Sequence, residues 1–171
     1  MDKNVLMIRS LCAEDVRIFT EEEIAQGWDS TPDKLTMRLA HEAAGKCISL
    51  VAEVDGQPAG YIFVYPDAQN GAFGGLGLPE IVDFAVLAKY RGQGIGSRLM
   101  DEAEKIAARY ADTVYLGVGL HSGYGSAQRM YVKRGYLPDG SGVWYRDRVA
   151  EPYAPCENDD DLVLWLSKKL K

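Results

Sequence analysis

Cysteine is scarce and poorly placed for cross-linking: Cys12, Cys47 and Cys156 are odd in number and share no short spacing. That pattern excludes a disulfide framework and a paired-cysteine zinc site, and leaves reduced thiols as the expectation. Basic residues are also in short supply. The chain has 19 Lys and Arg against 25 Asp and Glu, a net charge of −6. Nucleic acid, whose phosphates select basic surfaces, is therefore not expected as a partner. The same balance is compatible with a small cationic substrate. No apolar run is long enough to span a membrane. The first residues, with Asp2 and a short apolar stretch, have no signal-peptide pattern, so a cytoplasmic protein is expected. No internal repeat appears, and 171 residues with 47% hydrophobic and 26% charged side chains suit one domain over 1–171.

What is present is a strand, a glycine turn and a helix in immediate succession. Ile81 to Leu87 is a short apolar run with one acid, as expected of a largely buried strand. Arg91-Gly92-Gln93-Gly94-Ile95-Gly96 is a tight turn. Ile95, Leu99, Ala103, Ile106 and Tyr110 then recur at helical spacing, with Asp101, Glu102 and Glu104 between them. Glycines let a backbone approach an anion closely, and the free N–H groups of a helix N-terminus supply donors and a favourable dipole. Arg91 adds a positive charge, so a phosphate or pyrophosphate is the expected guest.

Two common phosphate motifs fail here. No Gly-Lys-Ser/Thr follows a four-residue gap, as a P-loop requires, and Ser97 stands where a dinucleotide fingerprint needs its third glycine. The Arg-Gly-x-Gly-Ile-Gly turn resembles instead that of the GNAT N-acetyltransferase superfamily. The resemblance runs from Val5 to Leu170 and includes a later Tyr131-x-x-x-Gly135-Tyr136 element. It implies an acetyl-CoA-dependent enzyme in which Arg91, Gly92, Gln93, Gly94, Ile95, Gly96 and Ser97 hold the coenzyme pyrophosphate. It also implies an α/β fold: a mixed, mostly antiparallel central sheet, helices on both faces, and strands four and five parallel and splayed to admit the cofactor.

The remaining chain fits that plan. Val5 to Leu11 reads as a first strand, and Ala13 to Gln26 as a helix stopped by Gly27. A second helix runs from Pro32, at its first position, toward Gly45. Between them Trp28 either lines the acceptor pocket or packs its loop onto the core. Ile48 to Val54 and Ala59 to Tyr65 form a hairpin across Asp55-Gly56-Gln57-Pro58. Pro66 to Pro79 is expected to be a mobile loop. Thr113 to Val118 is the fifth strand, Ser126 to Arg134 a short helix capped by Gly135, and Val143-Trp144-Tyr145 and Leu162 to Leu166 the last strands. The run Asp159-Asp160-Asp161 is either a solvated turn or, as the resemblance allows, a lure for amines.

Acetyl transfer to an amine needs a base, an oxyanion donor and an acid for the leaving thiolate. Glu80 and Asp83 are the carboxylates at hand. Strand alternation places them on opposite faces. The resemblance gives Glu80 the role of base, often through water; the alternative is an ordinary exposed carboxylate at a strand end. Asp83 needs a partner if buried, and reads as a structural hydrogen bond first and an acceptor contact second. His121, a lone histidine past the fifth strand, is a further base candidate. The resemblance implies that the main chain of Phe84, Ala85 and Val86 meets the pantetheine arm as an added strand would, one of these N–H groups holding the oxyanion. It also brings the Tyr131 hydroxyl near the coenzyme sulfur, as proton donor or as packing surface. Tyr124 stands where the family often has an asparagine that contacts pantetheine, and Ser126 is expected to replace that contact and to cap its helix.

The expected reaction moves acetyl from acetyl-CoA to a primary amine, a small cationic metabolite or antibiotic-like molecule, by direct attack. The alternatives are a protein or peptide amine as acceptor, or a non-catalytic acyl-CoA sensor. A nicotinamide-binding protein is disfavoured by Ser97. A homodimer accords with the resemblance, although no interface is legible in the sequence.

Overall fold

The computed structural model describes residues 6–171, which form two compact units. Of the described residues, the first unit takes 6–65 with Ile81–Ile106; the second is Pro66–Glu80 with Ala107–Lys171. In chain order the strands are β1 (Leu6–Arg9), β2 (Ile48–Val54), β3 (Gln57–Tyr65), β4 (Glu80–Val86), β5 (Thr113–Gly119), β6 (Leu137–Tyr145), β7 (Arg148–Val149) and β8 (Leu162–Lys169). The helices are α1 (Ala13–Ala25), α2 (Asp33–Ala43), α3 (Ile95–Ala107) and α4 (Gly125–Lys133). Strands hydrogen-bond in the order β1-β2-β3-β4-β5-β8-β6-β7. The pairs β1–β2, β2–β3, β5–β8, β6–β8 and β6–β7 are antiparallel. β4 and β5 are parallel, registered at Glu80–Tyr115. The fold is the expected mixed, mostly antiparallel α/β arrangement.

In the first unit, β3 is buried without interruption from Pro58 to Val64, as a strand covered on both faces must be. Tyr61 and Phe63 pack on one face with Phe19 of α1 and Leu35 of α2. On the other face, a side chain at Gly60 would meet Leu99 of α3 at 3.3 Å. α1 is held at its start by Asp15, whose carboxylate accepts the Cys12 backbone N–H at 2.9 Å and two Arg9 nitrogens at 2.7 and 2.8 Å. The β2–β3 turn is tighter than expected: Asp55 and Gly56 both have positive φ, making a two-residue primed turn, and β3 starts at Gln57.

Other boundaries moved for local reasons. β1 stops at Arg9; Leu11 turns away to donate its N–H to Ser49 Oγ at 2.9 Å, and Val5 lies outside the described residues. Pro32 is the cap of α2 and not its first turn. The buried stripe of α3 is Ile95, Leu99, Met100, Ala103 and Ala107; Tyr110 is exposed beyond its end. In the second unit, β6 is longer than Val143–Tyr145, and a β7 partner follows across Arg146 and Asp147, both at positive φ.

The stretch Pro66–Pro79 is a loop, as expected, and it carries hydrogen bonds of its own. Ala68 donates its N–H to Leu78 O at 3.3 Å, Gly75 to Ala68 O at 3.0 Å and Gly74 to Gly71 O at 3.1 Å. Its outer contacts are aromatic. Phe73 stacks on Tyr115 at 5.1 Å, the Tyr115 hydroxyl donates to Asn70 O at 2.7 Å, and Gly71 lies directly on the Trp165 ring. Four loop glycines hid these contacts from sequence reasoning, because the aromatic partners Tyr115 and Trp165 are distant in the chain.

Candidate active site

The glycine turn is formed as expected. Gly92 and Gly94 have φ of +73° and +79°, a region that other L-residues enter with strain. A Cβ at either position would meet nothing within 4 Å, so the space over the turn is open to a ligand. α3 begins at Ile95 directly after it, with Ile95 buried and Gly92, Gln93, Gly94 and Ser97 exposed. A short 3-10 turn, Ala88–Tyr90, leads in and is anchored where Ala88 donates its N–H to Gln26 Oε1 at 2.8 Å. Arg91 is itself held: its Nε donates to Val86 O at 3.1 Å, and its guanidinium lies 5.6 Å over the Trp28 ring. Trp28, 39% exposed, supports this arginine, a role that neither sequence reading of it anticipated. An exposed glycine turn, a helix start and a braced arginine fit the pyrophosphate of coenzyme A.

β4 departs from a regular strand. Asp83 has φ +52°, so the alternation that set Glu80 and Asp83 on opposite faces does not hold across it. Glu80 is only 7% exposed, which removes the reading of an exposed strand-end carboxylate. In the second unit it lies by Tyr115, whose hydroxyl is 3.5 Å from Glu80 Oε2. Burial and the Glu80 charge together push that phenol above its ordinary range. Asp83 has the partner its setting demanded: Arg38 of α2 places Nε and Nη2 at 2.7 and 2.6 Å from its Oδ2. Farther along, the Ala85 carbonyl lies against Gly60 of β3, where a Cβ would sit 2.7 Å from it, and the Val86 carbonyl spends one lone pair on Arg91.

The remaining candidates lie in the second unit. Tyr131 is 5% exposed on α4 and packs at 5.7 Å against Tyr136. Burial, with a smaller contribution from Tyr124, pushes its hydroxyl well above the usual tyrosine range. It is therefore held as a donor. Ser126 does not cap α4. It is the helix's second residue and exposed, while Tyr124 occupies the cap position without a side-chain bond to the helix. The Tyr124 hydroxyl donates to Asp160 Oδ1 at 2.9 Å, and its ring covers Gly119.

His121 is committed at both nitrogens. Nδ1 accepts the Gly123 N–H at 3.0 Å, which places the proton on Nε2, 2.8 Å from Asp160 Oδ1. A histidine so bound is a poor general base. Asp160 is held below the usual carboxylate range by the His121 and Tyr124 hydrogen bonds. The acidic run is thus a largely exposed turn, as one sequence reading had it, and Asp160 within it also anchors His121 and Tyr124. Arg38 and Tyr115 went unnoticed in the sequence. The one available signal was Lys34, Arg38 and His41 clustered on a helix that also carries Leu35 and Leu39.

Among the described residues no group of three or more His, Cys, Asp or Glu side chains is placed to hold a metal ion, and no helix is long and apolar enough to cross a membrane.

Comparison with known proteins agrees with this geometry. The chain is 28% identical over 164 residues to an uncharacterized N-acetyltransferase of Methanocaldococcus jannaschii, covering 96% of this chain and 92% of that one. Among solved structures, a GNAT-family protein from Desulfovibrio desulfuricans superposes with a TM-score of 0.72 at 15% identity, covering 98% of this chain and all of that one. The structure of yncA from Salmonella typhimurium with its cofactor acetyl-CoA gives 0.67 at 18% identity, with 98% and 95% covered. Residues 10–136 match the model of the acetyltransferase (GNAT) family. This protein belongs to the GNAT family of acetyltransferases.

Proposed function

We propose that the chain, 1–171, serves as one acetyltransferase domain that moves an acetyl group from acetyl-CoA to a small cationic primary amine. The observation that carries this reading is the Arg91–Ser97 turn, with Gly92 and Gly94 at positive φ, open space above them and α3 starting at once. Such a turn binds a pyrophosphate through N–H groups and the helix dipole. Acetyl-CoA supplies, when bound, an acetyl group activated as a thioester. The chain's own residues then divide the work.

Glu80, directly or through water, takes a proton from the ammonium so that its nitrogen can attack. A main-chain N–H of Phe84, Ala85 or Val86 holds the carbonyl oxygen as it gains charge. The C–N bond forms, the nitrogen then sheds its second proton to solvent, the C–S bond breaks, and the Tyr131 O–H gives its proton to the leaving sulfur. Solvent returns a proton to Tyr131 and removes the one held by Glu80. Ser126, exposed at the start of α4, offers a hydroxyl to the pantetheine arm. The net charge of −6 supports a cationic acceptor.

The test is calorimetric titration with acetyl-CoA, then thiol release across a panel of polyamines, aminoglycosides, amino acids and peptides. The expected result is binding, at least tenfold weaker binding by Arg91→Ala, and turnover of a small polycation. Turnover of peptides alone would correct the acceptor, binding without turnover of any amine would favour a sensor, and no binding would overturn the reading.

A further inference from the structure

We propose that Arg38 is a positioning residue which, by gripping Asp83, holds β4 in the form that serves coenzyme A. The argument begins with the backbone. Asp83 has φ +52° inside a strand, a conformation that a non-glycine residue keeps only when its surroundings enforce it. Immediately after it come Phe84, Ala85 and Val86, the segment assigned to the pantetheine arm.

The enforcement is visible. Arg38 forks two nitrogens, Nε and Nη2, onto the single oxygen Asp83 Oδ2, at 2.7 and 2.6 Å. The guanidinium is fixed in turn from the other side. Its Nη1 donates to the Tyr65 hydroxyl at 2.5 Å, and its plane lies 5.1 Å from the Tyr65 ring centre and 5.8 Å from that of Phe63. Tyr65 is held as well, through a 2.7 Å contact between its hydroxyl and Nδ1 of His41, one turn along α2 from Arg38. All of these residues belong to the first unit. They form a clamp running from α2, past the end of β3, to the irregular residue of β4. Val86 is held at the far end of the same segment by Arg91. Residues 84–86 are thus flanked by two arginine anchors, Arg38 on the Asp83 carboxylate just before them and Arg91 on the Val86 carbonyl at their end.

The inference rests on the coenzyme reading for what β4 serves, and its test separates the two. Glycine takes positive φ without strain. If Arg38 acts by keeping Asp83 at φ +52°, a glycine at position 83 makes the arginine dispensable. Coenzyme A is titrated calorimetrically into wild type, Arg38→Gln, Arg38→Lys and the double variant Arg38→Gln/Asp83→Gly, all as the full chain. Hydrogen exchange of the peptide covering residues 84–86 is followed by mass spectrometry in parallel.

Arg38→Gln is expected to weaken binding about tenfold and to speed exchange, with Arg38→Lys intermediate because it keeps the charge without the fork. The double variant is expected to recover to within about threefold of wild type on both measures. A loss that persists in the double variant would overturn the inference, since Arg38 would then act by touching the ligand or by general stability. Wild-type affinity in Arg38→Gln would overturn it equally. Should wild type not bind coenzyme A, the functional reading falls and the exchange pattern alone decides the clamp. Should Arg38→Gln not fold, the comparison passes to Arg38→Lys with and without Asp83→Gly.

Discussion

Burial keeps the Tyr131 hydroxyl protonated through the pH range in which amines become nucleophilic. The sign matters: a donor must hold its proton, and this one is shifted upward. We therefore expect no alkaline fall in kcat from this group below roughly pH 10, the value of an unperturbed phenol. Tyr131→Phe should lower kcat about a hundredfold with little change in KM for acetyl-CoA, as steady-state kinetics would show. A second titration concerns stability. Burial raises the Asp15 carboxyl, but the Arg9 hydrogen bonds and the Cys12 backbone N–H outweigh it, and the net shift is downward. Its contribution is thus present above about pH 4, the unfolded value, and lost as pH falls through the folded one. Asp15→Asn should cost about 2–3 kcal/mol at neutral pH and flatten that part of the acid limb, measured by urea unfolding across pH.

Among the elements, those with local causes were legible and those with distant causes were not. The hydrophobic stripe of α3, the Gly27 and Gly135 stops and the Arg91–Gly96 turn all follow from neighbours in sequence. The irregularity of β4 does not, because Asp83 is held at φ +52° by Arg38, 45 residues earlier. The β6–β7 turn was missed for a related reason: Arg146 and Asp147 take positive φ with no glycine to signal it. The Pro66–Pro79 loop gives the sharpest check on such distant causes. At Gly71, φ is +74° and a Cβ would lie 2.3 Å from the Trp165 ring. Gly71→Ala should therefore cost about 3 kcal/mol or more, with a lower Tm and weakened near-UV circular dichroism from the displaced indole. Gly77→Ala, also at positive φ but meeting nothing within 4 Å, should cost only about 1–2 kcal/mol.

For the whole molecule, the relevant property is the excess of acid. A net charge of −6 attracts cations over distances that salt shortens from about 30 Å at 0.01 M to about 8 Å at physiological strength. If the acceptor is a polyamine, kcat/KM should fall several-fold between low and physiological salt, while a neutral thiol-exchange substrate should show no such slope. The family was legible because the turn and the Tyr131-x-x-x-Gly135-Tyr136 element are both short and local. The site was legible only in part: Glu80 and Tyr131 could be named, but the burial of Glu80 and the partners of Asp83 and His121 depend on packing.

The Arg91–Trp28 stack also has an optical consequence. Trp28 is 39% exposed with a guanidinium 5.6 Å above its ring, whereas Trp144 and Trp165 lie against each other at 6.2 Å in the second unit. An anion that draws Arg91 off the indole changes the emission of Trp28 and leaves the other pair as an internal reference. The protein thus carries its own fluorescent gauge of turn occupancy, and Trp28→Phe should silence it.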